Sequence, residues 1–323
     1  MILVTGGAGY IGSHTVKALK RAGLEPVIFD NFSTGHRSFL KNTPAVEGDI
    51  CNSTDLEKVF REYKIEGVLH FAGKALVAES AENPELYYQT NFVGGLNLLT
   101  AMKNHDVRDL IFSSTCATYG MPERVPITED HPQKPINVYG ETKLAFERAL
   151  KVFHVSYGLR YLSLRYFNAA GADGDGEFGE DHNPETHLIP LALEAASGQR
   201  PEVRIFGTDY PTPDGTCVRD YIHVSDLARA HVGGLQALMQ NRLESQAINL
   251  GTGCGYSVRE VIETVRKVTR RNFTVRETER REGDPPQLVA AADRAKEVLG
   301  WTATESDLDV IVSSAWKWQQ SRK

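Results

Sequence analysis

The chain has 323 residues, 41% hydrophobic and 24% charged, enough apolar material for one large or two modest folded units. A net charge of -6 provides no global positive field, which argues against nucleic acid and anionic membranes as principal partners. No stretch approaches ~18 consecutive apolar residues, and the strand-like run Ile2-Leu3-Val4 directly after Met1 leaves no room for a signal peptide, so no membrane span and a cytoplasmic location are expected.

Short apolar runs then alternate with amphipathic stretches. Strands are expected at residues 2–5, 26–30, 67–71, 110–114 and 161–166, with helices at 13–22, 56–63, 91–104 and 138–157. The runs at 67–71 and 110–112 are continuously apolar, as strands covered on both faces by crossover helices must be. The fold class that follows is α/β, a doubly wound parallel sheet. After Asn168 the texture changes to loops rich in Gly, Asp and Pro around short elements, which predicts a smaller mixed α/β substrate domain. We place a Rossmann-type domain at 1–167 and the smaller domain at 168–323, with a helix near Ser225 and a strand at 247–250 returning to the main sheet.

Directly after the first strand comes Thr5-Gly6-Gly7-Ala8-Gly9-Tyr10-Ile11-Gly12, with a helix directly following. Gly6 permits a tight turn, Gly9 lets the backbone approach a pyrophosphate, and Gly12 allows close helix–strand packing. The second strand ends at Asp30, where a carboxylate accepts from ribose hydroxyls and repels a 2'-phosphate, so NAD is favoured over NADP. Asp49 and Ile50 are placed near the adenine, and Phe71, Ala72 and Gly73 at a strand end facing the cofactor crevice.

Farther along, Leu110-Ile-Phe-Ser113-Ser114-Thr115 is an apolar strand running into hydroxyls at its C-terminal end, where doubly wound sheets bind ligands. Tyr139 and Lys143 stand four apart in a helical segment and share a face. A free phenol near pKa ~10 is a poor base, and an adjacent ammonium and a nicotinamide cation would favour the phenolate; a drop of roughly 3 units corresponds to ~4 kcal/mol. Thr115, Tyr139 and Lys143 are therefore the candidate catalytic residues. The four cysteines, Cys51, Cys116, Cys217 and Cys254, form no Cys-x-x-Cys pair, and the ten histidines form no familiar metal-binding spacing, so neither disulfides nor a metal centre are expected.

Over essentially its full length the chain resembles the UDP-glucose 4-epimerases, NAD-dependent enzymes of the extended short-chain dehydrogenase class. The matching motifs are Gly6 to Gly12, Phe112-Ser-Ser-Thr-Cys-Ala-Thr-Tyr-Gly120, Tyr139-Gly-Glu-Thr-Lys143, Arg165-Tyr-Phe-Asn168, Val218-Arg-Asp-Tyr-Ile-His-Val224 and Arg280-Arg-Glu-Gly-Asp284. The resemblance implies interconversion of UDP-glucose and UDP-galactose: a hydride passes from sugar carbon 4 to tightly held NAD, the 4-keto sugar rotates, and the hydride returns to its other face. Tyr139 would act as base and then acid, with Thr115 and Lys143 assisting. The dehydratases follow this threonine with an Asp-Glu pair; Cys116 and Ala117 stand here, which disfavours elimination.

By the same resemblance Tyr10, Ile11, Asn31, Ser33, Thr34, Gly35, Asn91, Ser113, Tyr166 and Phe167 join the cofactor set. Asn168, His187, Leu188, Phe206, Arg219, Arg281 and Asp284 would hold the UDP-sugar, the arginines on the diphosphate, Phe206 on the uracil and Asp284 on ribose hydroxyls. Lys74 follows the Phe71-Ala-Gly turn at once, where the family often sets its cofactor-contacting lysine a little later. Leu288 takes the place of a large tyrosine in some relatives, which suggests room for N-acetylated sugars. Alternatives are 4-epimerisation of another UDP-sugar, such as an N-acetylhexosamine, hexuronate or pentose, and a non-catalytic NAD-binding regulator; intact Thr115, Tyr139 and Lys143 oppose the latter. The apolar segments 91–104 and 138–157 predict a homodimer joined as a four-helix bundle.

Overall fold

The computed structural model describes residues 1–281 and 283–322; Glu282, inside the Arg280 to Asp284 motif, lies outside the described residues. The first part of the chain runs β1 (Ile2–Thr5), α1 (Tyr10–Arg21), β2 (Pro26–Asp30), β3 (Ala45–Glu47), α2 (Ser53–Glu62) and β4 (Gly67–His70). The short helices α3 (Val77–Glu82) and α4 (Pro84–Tyr87) lead through a wide π turn at Tyr88–Val93 into α5 (Gly94–Asn104), β5 (Asp109–Thr115), α6 (Val138–Tyr157) and β6 (Arg160–Tyr166). Beyond these come β7 (Asn168–Ala170), α7 (Leu188–Ala196), β8 (Glu202–Phe206), β9 (Val218–Arg219), β10 (Tyr221–His223), α8 (Val224–Met239) and β11 (Gln246–Leu250). The chain closes with β12 (Tyr256–Ser257), α9 (Val258–Thr269), β13 (Thr274–Thr278), β14 (Gln287–Leu288), α10 (Asp293–Leu299) and α11 (Leu308–Ser321).

Seven strands form one parallel sheet in the order β11-β6-β5-β4-β1-β2-β3. The period-2 alternation of side chains divides them between two cores. Leu3, Val27, Phe29, Val68, Leu110 and Phe112 face α2, α5 and α6, where they meet Leu56, Leu98 and Phe146. Ile2, Val4, Ile28, Leu69 and Ile111 face the opposite side, where they meet Val16 of α1 and Leu227 and Leu235 of α8. Since the core is apolar on both faces, the strands read as continuous hydrophobic runs. The strand order reverses between β1 and β4, and there the crevice for a ligand opens.

Two elements differ from expectation. The helix after the glycine turn starts at Tyr10 rather than residue 13, because Gly9 at φ -80° and ψ 177° is the extended residue that precedes it. The segment expected as a helix from 91 opens as the π turn Tyr88–Val93, and only then continues as α5. A third core lies under α7, α9 and α11, built from Ile189, Leu193, Val203, Ile205, Val261, Ile262 and Ile311. Here β8 pairs with β13, and β9 lies between β12 and β14, a small mixed α/β assembly beside the large sheet. Among the described residues, no helix is long and apolar enough to cross a membrane.

Candidate functional site

Five parallel strands end on one side of the sheet, at Thr5, Asp30, His70, Thr115 and Tyr166, and they border a cavity of about 1630 Å³. This exceeds the ~300–1,000 Å³ usual for one small ligand and suits two bound end to end. Its walls include the turn Gly6, Gly9, Tyr10, Ile11 and Gly12, then Asp30, Asn31, Ser33, Thr34, Gly35, Asp49, Ile50, Phe71, Ala72, Gly73 and Lys74. Toward the centre lie Ser113, Thr115, Tyr139, Lys143, Tyr166 and Phe167, and at the far end Asn168, His187, Leu188, Phe206, Arg219, Arg281, Asp284 and Leu288.

The glycine turn is bare backbone because nothing larger fits. A Cβ at Gly12 would lie 2.2 Å from the Gly6 carbonyl oxygen, and Gly6 itself has φ +71°. No side chain caps the N-terminus of α1, so its first-turn N–H groups and positive dipole end are presented to an anion. Asp30 accepts from the backbone N–H of Ala8 (2.9 Å) and Phe32 (2.8 Å), which fixes its carboxylate at the crevice; burial nonetheless pushes that carboxyl above its ordinary range. Burial would also raise Asp49, but bonds from Cys51 and Asn31 hold it below the usual value. N–H groups for a pyrophosphate beside a fixed carboxylate for a ribose diol form the donor set that NAD satisfies.

Asn137 caps α6 by accepting from Gly140 N–H at 2.8 Å. A Cβ at Gly140 would stand 2.5 Å from the Ala117 carbonyl oxygen, so the helix start packs directly on the loop after β5. This contact brings Tyr139, in the first turn, to the strand end that carries Thr115. Lys143 is buried one turn later; its ammonium donates to the Ser113 carbonyl at 3.1 Å and lies 5.9 Å from the centre of the Tyr139 ring. Burial, followed by the nearby Tyr166 phenol, pushes the Tyr139 phenol far above its ordinary value. Burial lowers Lys143 to about 8, so its charge survives at neutral pH. In the chain alone, burial therefore favours the neutral phenol.

Three other placements could not be read from the sequence. Asn91, expected at the cofactor, is buried outside the cavity wall: it accepts from Lys74 N–H (2.7 Å) and donates to Lys74 O (3.0 Å) and Thr142 Oγ1 (3.1 Å), clamping the loop after β4 to α6. Arg281 stacks on Phe206 at 3.8 Å, and Arg219 pairs with Asp284. The loop before α7 also gathers Glu180, His182 and Glu185 around His187. The spacing Glu-x-His-x-x-Glu-x-His matches no helical metal motif, and only the loop's fold brings the four together.

Over residues 2–251 the sequence matches the family described as NAD dependent epimerase/dehydratase. It is 50% identical over 321 residues to a UDP-glucose 4-epimerase of Rhizobium meliloti (strain 1021), covering 99% of this chain and 97% of that protein. The crystal structure of a UDP-glucose 4-epimerase from Brucella ovis in complex with NAD matches with a TM-score of 0.95 and 50% identity, covering 98% and 97% of the two chains. A UDP-glucose 4-epimerase from Bifidobacterium longum in complex with NAD+ and UDP matches with a TM-score of 0.93 and 38% identity, covering 99% and 98%. On sequence and fold together, the chain belongs to the NAD dependent epimerase/dehydratase family.

Proposed function

We propose that this chain interconverts UDP-glucose and UDP-galactose by inverting carbon 4 of the hexose. The observation that carries the reading is one cavity with a glycine cradle at one end, two arginines at the other, and Thr115, Tyr139 and Lys143 between them. Residues 1–167 are read as the cofactor unit and 168–323 as the nucleotide-sugar unit. The glycine turn and Asp30 would hold NAD, which would supply a reversible hydride acceptor for carbon 4.

The side chains manage orientation and protons. Tyr139 takes the proton of the 4-hydroxyl and gives it back, while Thr115 orients that hydroxyl. The Lys143 ammonium keeps two donors beyond its bond to Ser113 and supplies the positive charge that a buried phenol needs to ionise. Arg219 and Arg281 are placed to grip the diphosphate, with Asp284 for the ribose hydroxyls and Phe206 for the uracil beside them. Leu288, on the cavity wall, supports a second reading in which N-acetylated UDP-hexoses also enter.

The test is to incubate the purified protein with UDP-galactose, without added cofactor, and to separate the product sugars. UDP-glucose is expected, together with about a 10²–10⁴-fold loss of turnover in Tyr139→Phe at unchanged NAD content. No conversion after adding NAD, combined with turnover of UDP-N-acetylgalactosamine, would transfer the assignment to the second reading.

A further inference from the structure

The loop between β7 and α7 carries a cluster of which only His187 is expected to touch the substrate. Glu180, His182, Glu185 and His187 each contribute one ligand atom, and the four atoms lie within 4.8 Å of one another. His187 Nδ1 stands 2.7 Å from Glu180 Oε1 and 3.1 Å from Glu185 Oε1. His182 Nδ1 stands 3.3 Å from the same Glu180 oxygen and 3.6 Å from Glu185 Oε2. Both carboxylates are withdrawn from water, with side-chain exposure of 7% each.

Protons account for only part of this arrangement. A proton on His187 Nδ1 satisfies that ring, whereas the buried His182 Nδ1 makes no hydrogen bond although it faces two carboxylates. The rings are 5.3 Å apart, a distance at which two imidazolium charges oppose each other. A dication removes both conflicts, since it accepts a lone pair from each neutral nitrogen and meets the two carboxylate charges. The geometry agrees: zinc with nitrogen and oxygen ligands at ~2.0–2.2 Å in a tetrahedron sets neighbouring ligand atoms about 3.4 Å apart. The four nitrogen–oxygen separations, taken to Glu180 Oε1 and to either Glu185 oxygen, run from 2.7 to 3.6 Å, so small rotations of the same side chains reach that value.

We propose that Glu180, His182, Glu185 and His187 bind one divalent cation of the zinc class. Two imidazoles and two carboxylates form a borderline donor set, unlike the all-oxygen shells of calcium and magnesium. Four protein ligands close the shell, which is the pattern of a structural site rather than one that activates water. The ion ties residues 180–187 into a rigid rim at the cavity mouth, beside Tyr10, whose ring lies 6.2 Å from that of His182. It engages His187 through Nδ1 only, so that Nε2 stays available for the substrate contact expected of this residue.

The test uses untagged full-length protein freed of metal by a chelator, titrated with zinc or cobalt(II) in competition with a chromogenic chelator. One equivalent per chain is expected, with the intense visible absorption of tetrahedral cobalt, and about a hundredfold or greater loss of affinity in His182→Asn and Glu185→Gln. Zinc is expected to raise the thermal midpoint of the wild type and to leave that of a folded variant unchanged. Equal affinity in the wild type and both variants, or an octahedral cobalt spectrum with no defined stoichiometry, would overturn the proposal and leave the cluster as a network of ion pairs.

Discussion

Tyr139 and Lys143 meet because a four-residue spacing within a helix is a local property, and that much was legible from sequence. Their ionisation was not. It depends on burial, which raises the phenol and lowers the ammonium to about 8. Below pH 8 Lys143 carries its charge; as pH rises through its folded value the charge is lost, and with it the group that favours phenolate. The catalytic efficiency kcat/KM is therefore expected to fall as pH rises through about 8. In Lys143→Met this limb should vanish, and activity should be about a hundredfold or more lower throughout. A pH-rate profile with the same alkaline limb in both proteins would remove Lys143 from this role. Asn91 marks the limit of residue-level reading: a motif match gives its position, but the π turn decides where its amide points.

The glycine turn and the α6 start are units in which each small residue has a steric cause. An alanine at Gly12 puts its Cβ into the Gly6 carbonyl oxygen, so the turn and the first N–H groups of α1 must shift together. Gly12→Ala is expected to lower bound NAD at least tenfold, measured by absorbance of the released cofactor, while far-ultraviolet circular dichroism stays close to wild type. A second link ties α6 to β6: Arg165 donates from Nε to Glu147 Oε1 at 2.9 Å, its terminal nitrogen meets Oε2 at 2.5 Å, and both side chains are 3% exposed. Ser114 adds a bond to Glu147 at 2.6 Å, and Tyr119 accepts from Arg165 at 2.9 Å. Glu147→Gln leaves a buried guanidinium without its counter-charge and is expected to cost ~3–5 kcal/mol in urea unfolding. A loss below 1 kcal/mol would show that Tyr119 and solvent satisfy Arg165 alone.

At the scale of the whole molecule, α6 leaves Val152, Val155 and Tyr157 exposed at 61%, 83% and 54%, although its other face lies in the core. Such a helix calls for a partner, and pairing with a second copy through α5 and α6 is the arrangement we propose. Solution scattering should give a dimer mass, and Val155→Asp should shift it toward monomer with the fold intact; a monomeric wild type at micromolar concentration would refute the pairing. The doubly wound parallel class, the glycine turn, the Tyr–Lys spacing and the NAD preference were determined by the sequence itself. All of these rest on periodicity or on steric rules that act within a few residues. Only the tertiary structure decided that Asn91 is a clamp, that Arg281 rests on Phe206, and that two histidines and two glutamates converge before α7. Those facts depend on side-chain directions and on contacts between distant segments, such as the 65 residues separating Arg219 from Asp284, which no local pattern encodes.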